Sequence, residues 1–260
     1  MPFRQKGNTM KTKVWAHRGA SAYAPENSLE AFQLAIDMKA DGIELDIYET
    51  SDGRLVIHHD NDIKRMTGGV EAKILETDFK TLRSYNFSGA WGDKFGKVLI
   101  PEFKEVLDLF KDTGMKINVE LKEGSVAYLR EINRAVQEFQ MEEQIIYSSI
   151  DHMKLHQMRV INPNAEIAAL YSFNMMYPWV YGRMMNLTAL HPDYSRIYKH
   201  RDELGVDYVK EAHAHGLQVN PWTANKEGII RFLATIGVDH IITDYPDVAL
   251  RITNEVHEGK

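Results

Sequence analysis

Residues 42–47, GIELDI, place two carboxylates inside an otherwise apolar segment of strand length. Strand side chains alternate between faces, so Glu44 and Asp46 share one face while Ile43, Leu45 and Ile47 share the other. Carboxylates facing into a sheet protein need water, a counter-charge or a metal opposite them. Residues 117–122, INVELK, repeat the arrangement, with Asn118, Glu120 and Lys122 on one face. Two more apolar runs end on titratable groups: VWAHRG on His17 and Arg18, LVIHHD on His59 and Asp60. Strand after strand ending in charge is the pattern of a site, not of a core.

Nine strand-like segments occur, at 14–17, 42–47, 55–59, 115–121, 145–149, 166–171, 188–190, 217–220 and 240–243. Helix-like segments separate most of them: one opening at Asn27 or Ser28, then 101–110, 125–139, 152–161, 174–185, 202–215 and 227–236. This alternation predicts an α/β fold with a parallel sheet. The 260-residue length suits a (β/α)8 TIM barrel, for which about 250 residues is typical. Nine is one strand too many, and the link between Ile47 and Leu55 is too short for a crossover helix. An open doubly wound sheet would carry a glycine-rich phosphate turn after strand one, where this chain has HRGASAYAPEN. Residues 60–100 lack clear periodicity and are expected to form an insertion after the early strands. Residues 1–12 read as a flexible extension and 13–260 as a single domain.

Composition narrows the function. The net charge of −6, from 31 Lys+Arg against 37 Asp+Glu, gives no reason to expect a nucleic-acid partner. The absence of cysteine removes thiolate metal sites and cysteine nucleophiles. The start of the chain is basic and polar, unlike a signal peptide, and no run approaches the ~18 apolar residues of a membrane span. A cytoplasmic protein without stable membrane insertion is the expectation; its oligomeric state is not legible.

On a barrel these strand ends converge at one mouth. Glu44, Asp46 and Glu120 then repel one another unless a cation joins them, and oxygen ligands suit a hard divalent ion, Mg²⁺ or Ca²⁺. The plain alternative is a structural ion-pair network with Arg18 and Lys122. His17 and His59, each closing an apolar strand beside the acids, are candidates for proton transfer. His58 points to the opposite face from His59 and reads as structural. Arg18 and Lys122 beside a metal would clamp a phosphoryl group.

The series HRG…PEN…ELD…HD, followed by NVELK, PWTAN and ITDYPD, resembles the glycerophosphodiester phosphodiesterase family from about His17 to Asp247. The resemblance implies a TIM barrel with an insertion. It also implies metal-dependent hydrolysis of a small-molecule phosphodiester to glycerol 3-phosphate and an alcohol. By motif, His17 and His59 correspond to the acid/base pair, Glu44, Asp46 and Glu120 to metal ligands, and Arg18 and Lys122 to phosphate contacts. After Ser149 the family usually has Phe where this chain has Ile150, and between Tyr171 and Met185 no family motif appears.

Other readings are a lysophospholipase-D-like enzyme on the same site, a barrel isomerase or aldolase, and a non-catalytic phosphate-binding module. Residues 172–186, SFNMMYPWVYGRMMN, are rich in methionine and aromatics. They suit a helix packed on the barrel. Alternatively, Phe173 with Trp222 forms an apolar wall for the leaving alcohol.

Overall fold

The computed structural model describes residues 11–259. Most of the extension expected at 1–12 therefore lies outside the described residues. Its last residue, Thr12, is buried and donates from Oγ1 to Val238 O at 2.7 Å.

Nine strands form one sheet among the described residues. They are β1 (Lys13–His17), β2 (Gly42–Glu49), β3 (Leu55–Ile57), β4 (Lys116–Leu121), β5 (Ile145–Ser149), β6 (Glu166–Tyr171), β7 (Ala189–Pro192), β8 (Gln218–Val219) and β9 (His240–Thr243). Eight run parallel in the order β8-β7-β6-β5-β4-β2-β1-β9, with helices outside. The surplus strand is β3, which pairs antiparallel with β2 as a hairpin. That answers the short link between them. Pro221 cannot donate to a ladder, and β8 is only two residues long. The barrel nevertheless closes through Asp239 N to Val219 O, Ile242 N to Pro221 O and Ala224 N to Ile242 O, each at 3.0 Å.

The outward faces of the strands carry the main core. Ile43, Leu45, Ile47, Ile117, Val119 and Leu121 are buried against the helices. Inward, Trp15, Ile146, Ala168, Ala189 and Ile242 fill the barrel as a separate apolar cluster. The Trp15 indole lies over Gly42, its register partner on β2. A Cβ on Gly42 would meet Lys116 O at 2.6 Å and Trp15 Cδ1 at 2.7 Å.

The helices depart from the sequence reading where capping residues decide. Ser28 caps Leu29–Asp37, accepting from Ala31 N. Pro101 stays outside its helix, which runs Phe103–Phe110 with Glu102 and Glu105 in a capping box. The single helix expected over 202–215 is two, Tyr194–Leu204 and Tyr208–Ala214. Gly205 at φ 65° ends the first and Asp207 starts the second, accepting from Lys210 N. Pro246–His257, with proline in its first turn, is a further helix that periodicity did not single out. Residues 174–185 hold a shorter helix, Pro178–Met184. Between β3 and Phe103 the chain folds over a small core of its own, made of Tyr48, Val56, Ile63, Met66, Ile74, Leu82, Phe87, Val98 and Ile100.

The fit of Trp15 to Gly42 is testable. Gly42→Ala is expected to cost about 1–3 kcal/mol in urea denaturation through overpacking. An unchanged midpoint would show that the barrel interior has slack at that layer.

Candidate active site

One step of two residues along each strand leads from the apolar barrel interior to the chemistry. Trp15 is followed by His17, Gly42 by Glu44 and Asp46, Asn118 by Glu120, and Ile146 by Ser148. Register places His17 beside Glu44, Glu44 beside Asn118, and Asp46 beside Glu120. The resulting cleft, with about 430 Å³ of atom-free space open to solvent, is lined by His17, Arg18, Glu44, His59, Glu120 and Lys122. Asn118, Ile150, Leu170, Trp222 and Ile242 complete its wall.

Glu44, Asp46 and Glu120 each offer a carboxylate oxygen, and these lie within 4.8 Å of one another. Arg18 and Lys122 answer part of that charge. Lys122 Nζ stands 2.6 Å from Glu120 and 2.9 Å from Asp46, and Arg18 Nε is 3.5 Å from Asp46. Two cations against three carboxylates leave one negative charge uncompensated. Burial, with Asp46 and Glu120 as neighbours, pushes Glu44 well above the usual carboxylate range. Burial beside Asp46 likewise raises Glu120, to about 7. Burial works against Asp46 too, but Lys122 and Arg18 hold it well below the ordinary value. Asn118 Oδ1 is buried without a hydrogen-bond partner and adds an uncharged oxygen to the cleft. A hard divalent cation fits this donor set.

The turn after β1 shows why HRG and PEN go together. Arg18 sits at φ 55° and Gly19 at φ 81°, and a Cβ on Gly19 would meet the Ala31 backbone at 2.7 Å. This turn aims Arg18 N at Glu44 Oε2, 3.0 Å away. Asn27, at φ 53°, faces β2: its Nδ2 donates to Asp46 Oδ2 at 2.7 Å, its Oδ1 accepts from Asp46 N at 3.4 Å, and its backbone N donates to Arg18 O at 2.9 Å. Glu26 accepts from Arg18 Nη1 at 2.8 Å. Sequence reasoning used PEN only to recognise a pattern. Its signal was a polar pair ahead of a capped helix, too generic to assign.

Each histidine at the cleft is backed by an aspartate. His17 Nδ1 lies 2.6 Å from Asp244 Oδ1, and Asp244 also accepts from Ser21 Oγ at 3.0 Å and Asn225 Nδ2 at 2.5 Å. His59 Nδ1 lies 2.7 Å from Asp60 Oδ1. Burial lowers the His59 imidazole below its ordinary value, against the pull of Asp46. His58 faces away, bonding Asp62 O at 2.9 Å with its ring edge-on to Phe87. His191 lies inside the barrel, where burial holds it at about 3 and Asn220 Nδ2 donates to its Nε2 at 2.9 Å.

The leaving-group wall is only partly assembled. Trp222 lines the cleft and donates from Nε1 to His191 O at 2.8 Å. Phe173 is 54% exposed against Tyr171 and is not part of the cleft lining. Ile150 lines it instead. Beyond Phe173, Met176 and Tyr177 are exposed ahead of the helix, and within it Trp179 is buried while Val180 is exposed.

A model of the glycerophosphoryl diester phosphodiesterase family matches residues 17–248. A glycerophosphodiester phosphodiesterase of Caldanaerobacter subterraneus subsp. tengcongensis is 33% identical over 95% of this chain and 99% of its own length. One from Bacillus altitudinis is 32% identical over 94% of this chain and 99% of its own. The structure of an Oleispira antarctica phosphodiesterase in complex with the product sn-glycerol-3-phosphate superposes with a TM-score of 0.80. It is 26% identical and covers 93% of this chain and 96% of that one.

The burial of Glu120 beside Asp46 has a pH signature. Without metal, Glu120 holds its proton up to about 7, against 4.5 ordinarily. A value raised by folding contributes stability fully below the unfolded value and loses it as pH rises through the folded one. In chelator, Glu120→Gln, which cannot ionise, is expected to melt above the wild type near pH 8 and to converge with it near pH 4.5. A difference that stays constant across that range would remove Glu120 ionisation as the cause.

Proposed function

The chain belongs to the glycerophosphoryl diester phosphodiesterase family, and from that premise we propose that its cleft hydrolyses glycerophosphodiesters with a divalent metal and His17 and His59 as the acid/base pair. The observation that carries this reading is the single cleft in which two imidazoles, two cations and the acidic cluster meet. Glu44, Asp46 and Glu120 would hold Mg²⁺ or Ca²⁺, which supplies Lewis-acid polarisation of a phosphoryl oxygen. Arg18 and Lys122 gather the phosphoryl charge. One histidine takes the proton of the attacking water or glycerol hydroxyl. The other gives a proton to the departing alcohol as its oxygen–phosphorus bond breaks. Asp244 and Asp60 each hold one imidazole in orientation. The reading includes residues 13–260 as one catalytic unit in a cytoplasmic setting, acting on small molecules. Among the described residues no helix is long and apolar enough to cross a membrane.

The direct test is release of glycerol 3-phosphate from a panel of glycerophosphodiesters. Excess chelator is expected to abolish it and added Mg²⁺ or Ca²⁺ to restore it. His17→Ala and His59→Ala should each lower turnover by about 10²–10⁴-fold, with His58→Ala far milder. Full activity in excess chelator would sink the metal assignment.

A second reading, a preference for an apolar or choline-bearing leaving alcohol on the same site, is favoured by the exposed apolar side chains Ile150, at 59%, and Phe173, at 54%. An apolar or choline-bearing leaving group gains dispersion and cation–π contact from such a rim. Phe173→Ala or Trp222→Ala is then expected to raise KM for glycerophosphocholine more than for glycerophosphoglycerol. Equal effects on the two substrates would return both residues to packing.

A further inference from the structure

The segment between β3 and Phe103 carries one side chain that reaches the cleft through intermediaries. Ile63 and Met66 are buried in the small core of this segment, and the turn between them presents Arg65 outward. Arg65 Nε donates to Asp60 Oδ2 at 2.7 Å. Its Nη1 and Nη2 donate to the two oxygens of Glu26 at 2.7 and 2.8 Å. Asp60 in turn holds His59, and Glu26 holds Arg18. One guanidinium therefore fixes the two carboxylates that orient a cleft imidazole and a cleft guanidinium.

The bland alternative is a solvated surface ion pair. Arg65 is 48% exposed on its side chain, and exposed pairs contribute little stability. What a half-exposed fork contributes is geometry: three donors of one plane set the spacing of two carboxylates, which a point charge cannot do. We propose that Arg65 is a positioning residue of this enzyme, bracing His59 through Asp60 and Arg18 through Glu26. The inference rests on the acid/base reading of His59. It gives the segment after β3 a task in the reaction: its core exists to hold one arginine over the site's edge.

Arg65→Gln, made in the full chain, is the test. Turnover of glycerophosphocholine is expected to fall about 10–100-fold, with the thermal midpoint close to wild type. The neighbouring control Lys64→Gln should change neither. In a His59→Ala background the same Arg65→Gln change should cost at least about threefold less, because one of its two targets is gone. Arg65→Lys keeps the charge without the fork and should stay impaired. The ring ¹H–¹⁵N signals of His59, read without substrate, should shift in Arg65→Gln and not in Lys64→Gln. Unmoved His59 signals, an equal fold-loss in both backgrounds, or full recovery by Lys each overturn the proposal. The spectroscopic arm needs no turnover, so a wild type inactive on the whole panel of glycerophosphodiesters would count against the phosphodiesterase reading alone.

Discussion

Repulsion among Glu44, Asp46 and Glu120, with carboxylate oxygens within 4.8 Å of one another, is the constraint around which the rest of this barrel is arranged. In a low-dielectric interior such a trio is held only by charge or hydrogen bonds brought from outside the strands that bear it. Lys122 is the first residue past β4, which carries Glu120. Arg18 follows β1, the neighbour of β2, on a turn built with positive φ at Arg18 and Gly19. Asn27 reaches back from the start of the first helix to satisfy Asp46. The result is a cluster that is nearly, but not fully, neutralised, which is the state that leaves room for a divalent cation.

The parts of this arrangement written in strand periodicity were legible from the sequence. Period 2 placed Glu44 with Asp46 and Asn118 with Glu120 and Lys122, and the β-α alternation implied a barrel on which they meet. The barrel itself is confirmed by its sheet order and by its likeness to solved relatives. The identity of the surplus strand was not legible. A three-residue apolar run reads the same whether it pairs parallel or antiparallel, and only its antiparallel register with β2 separates β3 from the barrel strands.

Two kinds of residue escaped the reading for different reasons. Helix ends were missed where a cap outweighs periodicity: Gly205 and Asp207 cut what looked like one helix, because a left-handed glycine followed by an N-capping aspartate stops and restarts the backbone hydrogen bonds. The supporting polar residues were given no role in the site: Asn27 read only as a possible helix start and Asp244 only as a strand-end group, while Glu26 and Arg65 carried no signal, because the contacts of all four are tertiary. Asp244 lies 227 positions from the histidine it holds, and no local pattern records that contact.

The two histidines depend on different parts of the fold. Asp244 reaches His17 because β9 pairs with β1, with Ala16 opposite Thr243. His17 is therefore oriented by the β1–β9 ladder, one strand away from the seam where β8 is short and the ladder gives way to isolated backbone hydrogen bonds. His59 instead hangs from the hairpin strand β3, outside the barrel, and its aspartate is the next residue along the chain. A local pair of that kind has no strand to fix it, so its orientation has to come from the segment that follows. His58 bonded to Asp62 O and packed on Phe87 fixes the backbone at that point from the opposite face. Adjacent histidines just past β3 thus divide the labour by direction: His58 anchors the segment after β3 to its small core, and that anchoring holds the backbone from which His59 reaches the cleft.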